Sequence, residues 1–185
     1  MALKKSPAST DRRFVSSAFL SWGPNGQSFL TKGWQFNAIF MYLSGVPLSV
    51  LERSATQVTR IGADEDLRPD LVPGGNPGAV TGDPNRWFDA SQFRPSRPGY
   101  FGTLGRNTIR SPNQMTLDAS VLKDIQIGLG YLQVRAEVFN VTNRTNWGIP
   151  DMTAFINGAA NPTAGRITST STPARRMQLG VRWVF

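Results

Sequence analysis

The stretch Ala174-Arg-Arg-Met-Gln-Leu-Gly-Val-Arg-Trp-Val-Phe185 decides the fold. Apolar residues alternate in it with mostly polar ones, and one parity comprises Met177, Leu179, Val181, Trp183 and Phe185. A period of two is the pattern of a β-strand with one apolar face. A soluble antiparallel strand has the same alternation, but the run is also long enough for a tilted strand to cross a bilayer, which takes about 9–11 residues. The sequence therefore predicts a transmembrane strand that ends on an aromatic residue.

Four further segments alternate in the same way and predict strands at about 11–22, 33–44, 115–123 and 132–138. The second of them has the clearest face, formed by Trp34, Phe36, Ala38, Phe40 and Tyr42. Its two end aromatics are eight residues apart, as are Phe14 and Trp22. Eight strand residues span about 26 Å, close to the apolar band of an outer-membrane barrel. Aromatic girdles at both rims are thus one interpretation, and an aromatic-rich sandwich core is the other.

Composition excludes several function classes. The 185 residues carry a net charge of +8 and include neither cysteine nor histidine. Thiol nucleophiles, Ser-His and Cys-His pairs and the usual zinc sites are therefore absent, and we predict no enzyme and no cofactor. The basic residues are spread along the chain, which favours lipid phosphates or an acidic channel wall over nucleic acid. No run of 18 apolar residues exists, which excludes a transmembrane helix but not a membrane barrel.

Two long segments, at about 51–113 and 144–173, lack this alternation and are crowded with Pro, Gly, Asp and Arg. Such stretches argue against a compact soluble domain, whereas transmembrane barrels have long loops on the outer side and short periplasmic turns. The sequence thus predicts an all-β, antiparallel up-and-down barrel segment of about five strands. Its long loops lie outside, and the connections Trp22–Gly33 and Gly128–Gly130 lie on the periplasmic side.

The loop segment also carries specific motifs. They are Gly82-Asp-Pro-Asn-Arg-Trp-Phe-Asp-Ala-Ser-Gln-Phe93 and Pro98-Gly-Tyr-Phe-Gly-Thr-Leu-Gly-Arg-Asn-Thr-Ile-Arg-Ser-Pro112, followed by Leu117-Asp-Ala-Ser-Val-Leu-Lys123 and Val134-Arg-Ala-Glu-Val-Phe-Asn-Val-Thr-Asn143. This series resembles the carboxy-terminal barrel of TonB-dependent outer-membrane receptors, of the Oar-like kind with a carboxypeptidase-regulatory-like domain. The resemblance covers residues 12–185.

The resemblance implies a location in the outer membrane and one part of a barrel of about 22 strands. The whole receptor would import a bulky nutrient, either a siderophore, an oligosaccharide or a peptide. The implied partners are outer-membrane lipid and lipopolysaccharide, the remaining strands and the plug, TonB through them, and the barrel-assembly machinery. That machinery would read the assembly signal formed by Met177, Leu179, Val181, Trp183 and Phe185. Residues 1–10 lack the apolar region of a signal peptide, so we expect them to be disordered and to mark a truncation.

The candidate ligand-binding residues lie in the outer loop and on the inward parity of the fourth strand. They are Trp87, Phe88, Arg94, Tyr100, Phe101, Arg106, Arg135 and Glu137. The last two could instead form, with Asp118, a charge network along the barrel wall. The acids Asp64, Glu65, Asp66 and Asp70 could bind calcium, but their spacing matches no EF-hand loop and we predict no metal. The rival interpretation is a secreted all-β adhesin or carbohydrate-binding module, with the aromatics between Trp87 and Phe101 as a sugar platform.

Overall fold

The computed structural model describes residues 15–23, 28, 31–53 and 67–185. These residues form β-strands and one short 3-10 helix at Ala90–Gln92. In chain order the strands are β1 (Val15–Trp22), β2 (Trp34–Leu43), β3 (Pro47–Leu48), β4 (Leu51–Arg53), β5 (Asp70–Leu71), β6 (Val80–Asp83), β7 (Arg86–Phe88), β8 (Phe93–Arg94), β9 (Ile109–Arg110), β10 (Gln114–Ile127), β11 (Gly130–Phe139), β12 (Thr153–Ile156), β13 (Ala159–Ala160) and β14 (Arg176–Val184). None of the helical structure in this part of the chain is long and apolar enough to cross a membrane.

The described chain divides into two compact units. The sheet unit consists of Val15–Ser44, Asn113–Gly148 and Thr168–Phe185. The loop unit consists of the described residues within 45–112 and 149–167. All five strands predicted from alternation are present, and all lie in the sheet unit.

The sheet unit is one antiparallel sheet in the order β1-β2-β10-β11-β14. The observed β10 runs past the predicted end, to Ile127. Phe14, the aromatic expected at one rim, lies outside the described residues. Strands β1 and β14 are the two edges of this sheet, so the five strands are an open segment and not a closed barrel.

Strand register places the predicted apolar faces on one side of the sheet. One row of register partners crosses all five strands through Leu20, Ala38, Ala119, Val138 and Met177. The adjacent row crosses through Ser21, Asn37, Ser120, Glu137 and Gln178. Because neighbouring residues of a strand point to opposite faces, the first row belongs to an apolar face and the second to a polar one. The register therefore brings the apolar parities predicted for the separate strands onto one common face.

The two-residue connection between β10 and β11 shows why this end of the sheet turns sharply. Gly128 has a φ of +60°, a conformation that glycine adopts without steric cost. Nothing lies within 4 Å of a Cβ built at this position, so the backbone conformation alone requires glycine. The connection predicted at Gly128–Gly130 is confirmed as tight.

The loop unit contains the hydrophobic core. Among the described residues, every buried hydrophobic side chain belongs to it: Val50, Leu67, Phe88, Phe93, Leu104, Ile109, Ala154, Phe155 and Ile167. Phe88 and Phe93 meet edge to face, with ring centroids 6.1 Å apart. In the sheet unit no described hydrophobic residue is buried. Within the described residues of the sheet unit, no second layer buries the apolar side chains of the sheet.

The expectation that 51–113 is irregular is corrected. Short strand pairs organise it: β3 with β9, β5 with β8, and β6 with β7. Strand β4 pairs in parallel with β12, which also pairs with β13. These strands have two to four residues, too few for a period of two to be recognised. The segment at 144–173 contributes β12 and β13 to the same unit.

Candidate functional site

Two of the predicted ligand residues, Trp87 and Phe88, pack in or against the core of the loop unit. The indole Nε1 of Trp87 donates to the carbonyl oxygen of Arg110 at 2.6 Å, and its ring packs against the core. Phe88 has no exposed surface. A side chain in that position cannot touch a ligand without opening the core, so the prediction of ligand contact by Phe88 is corrected to a packing role.

Tyr100 and Phe101 are placed differently, at an exposed turn. The amide of Tyr100 donates to the carbonyl oxygen of Arg97 at 3.0 Å and closes the turn Arg97-Pro98-Gly99-Tyr100. Gly99 has a φ of +80°, as the third residue of a type II turn requires, and proline is favoured before it. Tyr100 and Phe101 are 69% and 60% exposed. The turn therefore holds two aromatic rings in solvent on a fixed backbone.

Asp70 anchors the chain on both sides of this turn. Its Oδ1 accepts from the amide of Thr103 at 2.9 Å, and its Oδ2 lies 3.8 Å from Nε of Arg94. Gly102 fits against the same segment, since a Cβ there would come within 1.8 Å of the carbonyl oxygen of Arg68. Asp70 is 93% buried by this arrangement, whereas the Arg94 side chain remains 51% exposed. Arg94 therefore keeps a half-exposed side chain next to Asp70, whose other oxygen holds Thr103, two residues after Phe101.

Arg106 is also exposed, next to a second turn. Asn107 follows it with a φ of +59° and donates its amide to Oγ of Ser49 at 2.9 Å. Asparagine is one of the few residues other than glycine that adopt this conformation readily. The sequence-predicted Arg94, Tyr100, Phe101 and Arg106 are thus all accessible to a ligand.

The carboxylates of the loop unit are used mostly inside it. Hydrogen bonds from the side chains of Gln92 and Ser91 hold the pKa of Asp89 below its ordinary value. Burial works to raise the pKa of Asp151, but hydrogen bonds from Thr153, Thr163 and Asn161 outweigh it and lower that pKa. Both carboxylates remain charged at neutral pH; Asp89 caps the 3-10 helix that follows it, and Asp151 binds the segment that contains Asn161 and Thr163.

The polar face of the sheet carries the other predicted pair. Nε of Arg135 lies 3.5 Å from Oε1 of Glu137, and both belong to β11. The predicted neighbour Asp118 accepts from the backbone amide of Asn140 at 2.8 Å, while Asn37 donates to Ser120 at 3.3 Å. Arg135 and Glu137 are thus paired with each other, whereas Asp118 is held by a backbone amide and is not joined to them by any hydrogen bond or ion pair among the described residues.

Sequence analysis missed an apolar component of this face. Phe19, Ile39, Met41 and Phe139 share the polar parity and are 36–68% exposed. Ile39 and Phe139 line a shallow depression of about 120 Å³ together with Asp118, Ser120 and Glu137. The sequence does contain the signal for this apolar component, because Ile39 and Met41 follow Gln35 and Asn37 on the same parity of β2.

Sequence analysis also missed an asparagine clamp, which we define as Asn140, Asn143 and Asn146. Asn146 is fully buried; its Oδ1 accepts from the amide of Met115 at 2.9 Å and its Nδ2 donates to the carbonyl of the same residue at 3.0 Å. Asn140 donates to the carbonyl oxygens of Arg144 and Pro173. Asn143 accepts from the amide of Arg175. The clamp joins the start of β10 to the segments after β11 and before β14.

The predicted assembly signal occupies one face of β14. Met177, Leu179, Val181, Trp183 and Phe185 are 48–100% exposed, and register aligns the first four with Val138, Ala136, Val134 and Leu132 of β11. These residues therefore continue the apolar face of the sheet to its edge.

A metal site gains no support from the placed acids. Asp64, Glu65 and Asp66 lie outside the described residues, and both oxygens of Asp70 face the protein partners given above. Among the residues that the structure describes, no group of three or more His, Cys, Asp or Glu side chains could hold a metal ion.

Comparison with known proteins gives one finding. A family model described as an outer membrane beta barrel domain matches residues 2–178. Neither a curated protein nor a solved structure matches the chain.

Proposed function

We propose a function from the premise that this chain belongs to the outer membrane beta barrel domain family and resides in the outer membrane. Its five-stranded sheet would form part of the wall of a TonB-dependent receptor that imports a bulky nutrient. The loop unit would lie outside the membrane and contact the nutrient. The remaining strands and a plug would be supplied by other parts of the receptor, and we assign no catalytic step to this chain.

One observation carries the proposal: no hydrophobic residue is buried in the described part of the sheet unit, whereas the loop unit has its own core. A sheet in water would cover an apolar face with a second layer, but lipid can take the place of that layer. A folded loop unit, built from the segments between β2 and β10 and between β11 and β14, is larger than simple connections need. Loops on a rigid scaffold are where binding residues concentrate, which supports a receptor.

The secreted adhesin or carbohydrate-binding module is the less favoured function. A secreted module would have to bury one face of each long strand, whereas Leu179 and Val181 are 80% and 71% exposed. Family membership also favours the membrane. The accessible pair Tyr100 and Phe101 is the feature that this alternative shares with the receptor.

Fractionation tests the membrane part of the proposal. We expect the chain, produced as part of the whole receptor and exported in a Gram-negative host, to sediment with the outer membrane and to need detergent for extraction, because open sheet edges are not tolerated in lipid. An external protease should then cut within the loop unit but spare β10 and β11. A soluble monomer that unfolds cooperatively without detergent would contradict the proposal.

Uptake tests the transport part. In the organism that carries this gene, its deletion should abolish accumulation of one class among ferric siderophores, oligosaccharides and peptides. Accumulation should also stop when the inner-membrane energy supply to TonB is dissipated. Unchanged uptake of all three classes in the deletion strain would contradict a transport role and leave the membrane location untouched.

We also propose that the apolar face of β14 serves as the assembly signal. Phe185→Ala should reduce the amount of protein in the outer membrane more than Leu179→Ala, although both remove one exposed apolar side chain. Burial of one such side chain is worth only about 1.5–3 kcal/mol, so a much larger loss for Phe185 would point to recognition during assembly. Equal, small losses would refute the signal.

A further inference from the structure

We propose that Arg94 and the turn segment Arg97–Phe101, here called the arginine–aromatic tip, bind a sugar that carries a phosphate or carboxylate group. The proposal deepens the receptor function, because it rests on the loop unit being the part that meets the ligand. It names the chemical class of that ligand.

Acidic and basic side chains are distributed differently in the loop unit. In the described part of the loop unit, Glu52 and Asp70 are buried, and Asp89 and Asp151 are held by internal hydrogen bonds. Only Asp83 is an exposed carboxylate. The exposed arginines, by contrast, are Arg53, Arg86, Arg94, Arg97, Arg106, Arg110 and Arg166. The acids therefore stabilise the interior while cationic groups remain at the surface, which favours an anionic partner.

The tip carries two arginines, Arg94 and Arg97. Arg94 lies 3.8 Å from Asp70 through one nitrogen, longer than a hydrogen bond, and Asp70 already accepts from Thr103. Among the described residues, no carboxylate lies within ion-pair distance of Arg97. Two planar guanidinium groups thus keep free donors, which suit bidentate contact with a phosphate or carboxylate.

The tip also carries an aromatic pair. Tyr100 and Phe101 project from a type II turn closed by a 3.0 Å backbone hydrogen bond. Gly102, which follows Phe101, is held in place by its close fit against Arg68. Rigid aromatic rings provide contact area at low conformational cost, and the apolar face of a sugar ring can stack on them. A small inorganic anion would gain nothing from these rings, so the combination specifies an anionic group attached to a ring.

Such a ligand has two possible sources, a free acidic oligosaccharide or the phosphorylated sugar of lipopolysaccharide. Both are tested with the full chain in detergent micelles. In one arm the probe is a labelled oligogalacturonate, with a neutral oligogalactose of equal length as the comparison. In the other arm the probe is lipid A, with its dephosphorylated form as the comparison.

We expect at least tenfold preference for the charged member in one arm, weakened by salt. Arg97→Ser and the double change Tyr100→Ser with Phe101→Ser should each reduce that affinity about tenfold, which equals about 1.4 kcal/mol. Arg166→Ser and Ile149→Ser, which alter an exposed arginine and an exposed apolar residue outside the tip, should leave it unchanged. Limited proteolysis of each variant checks that the loop unit remains folded.

The arm that shows the preference identifies the source of the ligand. Equal binding of charged and neutral probes in both arms, or equal losses in tip and control variants, would overturn the inference. Failure of the receptor function would give a different result. A soluble chain that still prefers the charged probe would refute the membrane proposal and leave the ligand class standing.

Discussion

The sheet unit and the loop unit differ in where their apolar residues go. In the sheet unit, apolar side chains repeat every second residue and stay uncovered, with Met177 75% and Leu179 80% exposed. In the loop unit, apolar residues follow no period, yet Phe88 and Ile109 are fully buried. The periodic region has regular structure without a core, and the aperiodic region has a core without long strands. Each fits the surroundings that we propose for it, which are lipid for the apolar face of the sheet and water for the loop unit.

The largest expected effect breaks the loop unit at its core. Phe88→Ala should lower the free energy of unfolding of this unit by about 3–5 kcal/mol, because it removes a fully buried ring and leaves a cavity. Tyr100→Ala removes a ring of similar size from the surface and should change it by less than about 0.5 kcal/mol. Hydrogen exchange of the backbone amides in β5 and β7 measures the change in stability for both variants. Equal loss of protection would mean that the loop unit does not depend on this core.

The next effect separates the two faces of the sheet. Ala38→Arg places a charge on the apolar face and should destabilise the protein by about 2–4 kcal/mol near the middle of the bilayer. Asn37→Arg, one residue away on the polar face, should be tolerated. Urea unfolding in lipid vesicles measures the difference. Similar costs at both positions would refute the face assignment.

The length of a strand decides how well the sequence predicts it. Strands β2 and β10 were predicted with their faces, because ten or more residues repeat one alternation. The core of the loop unit was not, because Phe88 and Ile109 stand in strands of two or three residues. Whether an aromatic in such a segment is buried depends on long-range contacts, and adjacent positions such as Trp87 and Phe88 look alike in sequence.

The clamp illustrates the same limit. Asparagines at 140, 143 and 146 indicate turns, since asparagine tolerates positive φ, and Asn140 and Asn143 do have φ near +50°. That Asn146 would pair with both backbone groups of Met115 follows only from the approach of two segments 31 residues apart. Likewise Arg94 and Asp70 meet only because β5 pairs with β8.

A smaller effect tests the clamp as the boundary of the sheet unit. Asn146→Leu leaves the amide and carbonyl of Met115 without their buried partners and should cost about 1–3 kcal/mol. Thr145→Leu changes an exposed neighbour and is the matched control. Hydrogen exchange at the start of β10 should speed up in the first variant only. Unchanged exchange would show that the clamp is dispensable.

The smallest effect is confined to acid pH and to the loop unit. The pKa of Asp151 is lowered in the folded protein from its ordinary 3.8, so its charged form stabilises the fold above that value. This contribution is lost as pH falls through the lowered folded pKa. As the pH falls from about 5 to about 2, the native protein should become more sensitive to protease. In Asp151→Asn the rise should be flatter, and an identical profile would exclude a role for this carboxylate.

The most direct test of the central claim, that one face of the sheet meets lipid while the other does not, is a scan of single cysteines. The chain has no native cysteine, so each introduced one can carry a nitroxide label alone. The labelled positions are Ala38, Ala119 and Ala136 on the apolar face and Asn37, Ser120 and Gln133 on the polar face. In outer-membrane vesicles, the first three labels should collide more with oxygen, which concentrates in lipid, and the last three more with a water-soluble nickel complex. Equal accessibility on both parities would contradict the account.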